Sequence, residues 1–167
     1  MRISDLLSLE FDEEAKKTRA MLGRVPADKA GFSPHPKSMP LGRLAPHVAG
    51  LPAFGLAVLT TPGLDLSQRS ATPLQLESAA QLVRVFDEGT ASVRDALHRL
   101  EDEAWTDQWT LTFQGKTLFA GTRFVAYRQT FLNHIVHHRA QLGVYLRLND
   151  TPVPGTYGPS ADEALGL

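Results

Sequence analysis

This sequence predicts an all-α fold, a four-helix bundle with a short β-hairpin between helices 3 and 4. Three observations predict it. Apolar residues recur at alternating spacings of three and four in four separate segments, the period of helices that bury one face. Breaks rich in proline and glycine separate those segments. One stretch, between Trp105 and Phe119, alternates apolar and polar residues around Gln114-Gly115 instead, as a hairpin does.

The first helix is expected from about Ser4 to Leu22, with Ser4 as N-cap and Leu7, Phe11, Thr18, Met21 and Leu22 near one face, ending before Gly23 and Pro26. Three prolines make Gly31 to Pro40 an extended crossing, because each removes a donor and disfavours helix just before it. The second helix runs from about Pro40 to Thr60 on a stripe of Leu44, His47, Val48, Leu51, Phe54 and Val58. Pro46 and Pro52 fall inside it, so a start as late as Ala45, with Pro46 in the first helical position, is the alternative. Thr61-Pro62-Gly63 ends this helix, and a loop to Ala71 follows.

Thr72-Pro73-x-Gln75 reads as an N-cap, a proline in the first helical position and a capping-box partner, opening a third helix that continues to about Glu103. Its seam is Leu76, Ala79, Val83, Phe86, Thr90, Val93, Leu97 and Leu100, and Gly89 weakens it by roughly 1 kcal/mol relative to alanine. The hairpin pairs Trp109–Phe113 with Lys116–Phe119 and is expected to bridge helices. The fourth helix spans about Thr122 to Leu148, closing at Asn149, and the tail from Pro152 to Pro159 is irregular.

Composition narrows the function. With 167 residues and 43% hydrophobic content, the chain makes a single domain, residues 1–167. A net charge of −1 gives no electrostatic reason for nucleic-acid binding. No segment approaches the roughly 20 apolar residues that span a bilayer, and the first ten residues lack a signal-peptide core. A soluble cytoplasmic protein is the expectation. There is no cysteine, so any metal is held by His, carboxylate or water, and any thiol chemistry needs an external thiol.

The chemistry gathers on the fourth helix. His134 and His138 are one turn apart, so both imidazoles leave the same face, stacked about 6 Å apart along the axis. That face is the apolar stripe of Phe124, Tyr127, Phe131, Ile135, Leu142, Tyr145 and Leu146, whereas Asn133, His137 and Arg147 point elsewhere. Inward imidazoles need partners, since an unsatisfied buried polar group costs about 1–3 kcal/mol. A hydrogen-bonded core histidine and a metal ligand both meet that need. His47, again on an apolar side, is the natural third ligand, and three neutral nitrogens with open positions suit a catalytic ion. Asp95-x-x-His98 has half of a di-iron motif but lies off its helix seam and has no second copy. His35, between two prolines, reads as a loop residue, and His137 as exposed or supporting the ligands from behind, with direct ligation as a fourth protein ligand the alternative.

The segments Pro34-His35-Pro36-Lys37-Ser38, His47 followed by Leu51-Pro52, His134-x3-His138-Arg139-x-Gln141-Leu142 and Tyr157–Glu163 together resemble the DinB/YfiT-like superfamily, the damage-inducible metalloprotein group and not the polymerase of similar name. The resemblance covers nearly the whole chain. It implies a four-helix bundle, often a homodimer, that holds a divalent ion, zinc or nickel foremost, on three histidines matched here by His47, His134 and His138. Characterised members include transferases and isomerases that use low-molecular-weight thiols. The function expected is thiol-dependent S-transfer to a small-molecule electrophile, with Arg139, or else Arg43 or Arg123, steering an acidic thiol cofactor. Metal-dependent hydrolysis and a non-catalytic, stress-related interaction bundle are the alternatives. No general base can be read from the sequence.

Overall fold

The computed structural model describes residues 1–68 and 73–163. Among these, four long helical stretches pack as a bundle beside a small three-stranded sheet: α1 (Ile3–Leu22), α2 (Leu41–Thr60), β1 (Gly63–Asp65), α3 (Ala79–Arg99), β2 (Gln108–Phe113), β3 (Lys116–Thr122), α4 (Arg123–Ala126) and α5 (Asn133–Leu148). A π-helical segment, Tyr127–Leu132, joins α4 to α5, so the expected fourth helix is one continuous rod with a wider turn inside it. No helix among the described residues is long and apolar enough to cross a membrane. The expected four helices and hairpin are present, and the fold class is corrected in one respect, that the hairpin belongs to a small three-stranded sheet: Gly63–Asp65, expected as loop, pairs in parallel with Thr110–Thr112.

Two helix starts differ from the expectation for reasons of hydrogen bonding. Ser4 does not cap α1. It is buried inside the first turn, where its Oγ donates to the Leu100 carbonyl at 3.0 Å and accepts from Trp105 Nε1 at 3.1 Å. The α1 terminus is satisfied instead by acids, with Arg2 N donating to Asp5 and Ile3 N to Asp102. Helix α3 begins at Ala79, and Pro73 to Glu77 is irregular. Its cap is Ser78, whose Oγ accepts from Gln81 N at 3.1 Å, while Gln81 Oε1 accepts from Glu77 N. The motif occurs twice, and the second copy is used; Thr72 lies outside the described residues. At its other end α3 stops at Arg99, and the following Asp102–Thr106 turn is a 3₁₀ helix.

Helix α2 starts at Leu41 and runs through both prolines. Its contacts with neighbours are close because glycines allow them. A Cβ on Gly89 of α3 would lie 2.8 Å from Pro52 Cβ, and one on Gly55 of α2 would lie 2.5 Å from the Phe131 ring. Phe131 in turn packs on Phe11 and Tyr127, centring the core. Gln114 and Gly115, both at positive φ, turn the hairpin. Directly after β3, Arg123 at the start of α4 donates to the carbonyls of Val58, Thr61 and Ala104, tying the end of α2 to the start of α4.

The π segment explains one misplaced residue. An extra residue in one turn rotates everything on its N-terminal side by about 100° relative to an uninterrupted helix. Phe124, expected on the buried stripe, is therefore 41% exposed, and its neighbour Arg123 is 8% exposed. The other six stripe residues are buried.

Candidate metal centre

Helices α2 and α5 run side by side and bring three half-buried histidines together: one ring nitrogen from each of His47, His134 and His138 falls within a group whose members lie within 4.8 Å of one another. Gly55 of α2 lies against the Phe131 ring of the π segment, so close that a Cβ there would fall 2.5 Å from it, and this brings α2 near the segment that leads into α5. His47 Nε2 is 3.4 Å from His134 Nε2, and His138 Nε2 is 2.8 Å from the same atom. A tetrahedral ion with nitrogen ligands at 2.0–2.1 Å separates them by about 3.3 Å, close to these values.

Hydrogen bonds on the far side of two rings set their tautomers. His134 Nδ1 lies 3.2 Å from the Thr130 carbonyl oxygen, and His138 Nδ1 lies 2.7 Å from Gln141 Oε1. Both oxygens accept, so each Nδ1 carries the proton and each Nε2 presents a lone pair. Burial lowers the pKa of His134, and the neighbouring His138 adds to the effect. Burial likewise lowers that of His138. Both rings are therefore neutral at neutral pH. Two lone pairs facing each other at 2.8 Å repel unless a cation lies between them, and the pairing of Nδ1–H with a carbonyl or amide oxygen is how metal-bound histidines are oriented. The residues fit a divalent ion on chemical as well as geometric grounds.

The other candidates fall elsewhere. His137 is exposed, its ring 4.8 Å from that of His138, and it is not in the converging group. Asp95 and His98 are exposed on α3. His35 is an exposed loop residue whose Nδ1 accepts from Lys37 N. Arg139, next to His138, faces the opposite way: it is 2% exposed, pairs with Glu14 Oε2 at 2.6 Å and donates to Tyr157 Oη at 2.7 Å. Tyr157 Oη donates on to Glu14. This network binds α5 to α1 and to the C-terminal tail. Two clefts of about 350 Å³ each, between α2 and α3 and between α1 and α3, contain none of the histidines.

Sequence reasoning found the three converging residues but not those that orient them. Gln141 sits in the quoted motif without a role there, and its spacing of three from His138 was the available signal. Thr130 acts through its backbone, which no side-chain pattern reports.

Comparison with known proteins agrees with this architecture. The chain is 27% identical over 165 residues to the uncharacterized protein YrdA of Bacillus subtilis (strain 168), an alignment covering 95% of this chain and 89% of that protein. A DinB-like protein from Bacillus cereus ATCC 10987 has a similar fold, with a TM-score of 0.64 at 21% identity, covering 89% of this chain and 94% of that one. The DinB-like protein YjoA from Bacillus subtilis superposes with a TM-score of 0.63 at 18% identity, covering 96% and 99%. The family model for the DinB family matches residues 4–164, and the chain belongs to that family.

Proposed function

We propose that this protein is a metal-dependent enzyme that joins a small external thiol to an electrophile, with a divalent ion, zinc or nickel, held by His47, His134 and His138. The observation that carries the reading is the convergence of three imidazole nitrogens, two of them fixed as lone-pair donors by Thr130 and Gln141. A divalent ion in such a site supplies Lewis acidity that brings a thiol or water toward deprotonation near neutral pH.

Ligand count favours catalysis over a structural role. Among the described residues no fourth His, Asp or Glu joins the three, whereas structural zinc sites are closed by four protein ligands. The three histidines are half-buried, not sealed in the core. In the transfer, the thiol loses its proton to solvent, sulfur forms the new bond to carbon, and the leaving group departs with the bonding pair. The chain's part is to hold His134 and His138 neutral and aligned. The family resemblance further supports a cytoplasmic homodimer.

The test is product analysis. Metal-loaded protein is incubated with a low-molecular-weight thiol and an alkylating electrophile, and the products are read by mass spectrometry. A thiol adduct formed faster than in the His138→Ala variant supports the reading. Water adducts alone would move the assignment to hydrolysis, and neither product above background would leave a non-catalytic role.

A further inference from the structure

The helices that carry the three histidines contain no Asp or Glu: none occurs in Leu41–Thr60 or in residues 123–148. They carry five arginines, Arg43, Arg123, Arg128, Arg139 and Arg147. Four are answered by acids on other elements, Arg123 by Asp107, Arg128 by Glu10, Arg139 by Glu14 and Arg147 by Asp162. Arg43 is exposed and has no ion pair among the described residues.

Its position is specific. Arg43 is one helical turn before His47, so it leaves the same face of α2, about 6 Å further along the axis. Gly50, three residues after His47, lies on the same side, and a Cβ placed there would meet nothing within 4 Å. The α2 surface is therefore uncovered at Gly50, on the far side of His47 from Arg43 along the axis. Neutral imidazoles leave a bound dication with its full charge, and no carboxylate of the described residues joins the ligand group to offset it. An anionic ligand entering at the ion is therefore favoured electrostatically.

We propose that the site takes a small carboxylic acid with two anionic ends, one directed to the three-histidine centre and the other, a carboxylate, held by Arg43. Arg43 is then a specificity-determining residue: its planar guanidinium grips a carboxylate through two parallel hydrogen bonds. The inference rests on the metal reading above, and it names the class of ligand that reading leaves open.

The test uses cobalt(II)-loaded protein, whose visible spectrum reports anions entering at the ion. Succinate and glutarate are titrated against the matched monoacids propionate and butyrate. The native chain is expected to prefer the diacids by roughly tenfold or more. Arg43→Ala is expected to remove that preference while cobalt binds with unchanged stoichiometry, and Arg43→Lys to restore part of it. Equal affinity for diacids and monoacids in the native chain, or a preference that survives Arg43→Ala, would overturn the role of Arg43. Absence of cobalt binding in the native chain would overturn the metal reading itself, and this inference with it.

Discussion

His138 Nε2 lies 2.8 Å from His134 Nε2, and both rings turn their Nδ1 toward an oxygen acceptor, so the two facing nitrogens both bear lone pairs. Within one helix, two neutral bases are thus aimed at one point in space. His47 from α2 completes the group, with its Nε2 3.4 Å from that of His134. An interaction that is repulsive without a cation becomes favourable with one, which ties site occupancy to stability.

The stability of the metal-free protein should fall as pH drops below about 6.5. Burial, reinforced by the neighbouring imidazoles, lowers the folded-state pKa of His134 and His138 beneath the unfolded value of about 6.5. Between the two values the unfolded chain binds more protons than the native one, so this contribution is complete above about 6.5 and is lost as pH falls through the folded pKa. Urea midpoints measured from pH 8 to pH 5 check this, and a flat profile in that range would contradict it. Metal affinity should decline over the same range, because protons compete for the same nitrogens.

Gln141→Leu should weaken metal binding by about 10–100-fold with little loss of fold, because Gln141 is exposed and its amide oxygen only orients His138. Competition with a chelator of known affinity gives the number. Unchanged affinity would mean that the ring holds its tautomer without this partner.

Glu14→Ala should destabilise the protein by about 3–5 kcal/mol, since it strands the buried Arg139 guanidinium without its counter-charge. Burial pushes the Glu14 pKa up, but Tyr157, Arg139 and Lys17 together outweigh it and hold the value below normal. The carboxylate is therefore charged in the native protein throughout the neutral range. Arg139→Ala should cost less than Glu14→Ala, because the remaining Glu14 carboxylate keeps Tyr157 and Lys17 as partners. Denaturant melts of both variants decide the order.

Gly55→Ala should cost about 1–3 kcal/mol and loosen the three-histidine cluster together with it. The added methyl would fall 2.5 Å from the Phe131 ring, forcing α2 away from the π segment. Separating α2 from that segment also separates His47 from His134. Thermal melts and metal affinity measured on one sample check both effects, and an alanine variant with native stability would show that the two helices re-pack freely there.

Side-chain chemistry was legible in the sequence wherever one face of a helix carried it. The turn spacing of His134 and His138, and the apolar neighbours of His47, sufficed to select the converging residues. Backbone events were not legible. The π turn at Tyr127–Leu132 leaves no mark in hydrophobic periodicity, yet it rotates Phe124 outward and Arg123 inward. The start of α3 was ambiguous because Thr72-x-x-Gln75 and Ser78-x-x-Gln81 are equally good capping patterns, and only the three-dimensional structure shows that Ser78 is used. Strand β1 is three residues long and depends on pairing with Thr110–Thr112, a distant contact that local pattern cannot report. Arg139 reads as a charged residue near the site, whereas its partners Glu14 and Tyr157 lie 125 and 18 residues away in the chain.

Elemental analysis of untagged protein, purified without chelator, tests the central claim most directly. Native protein should carry about one divalent ion per chain, and both His47→Ala and His138→Ala should lose it while keeping their helical content. A native chain that takes up no ion, even after incubation with excess zinc or nickel, would contradict the metal centre and leave the three histidines as hydrogen-bonded polar residues between two helices.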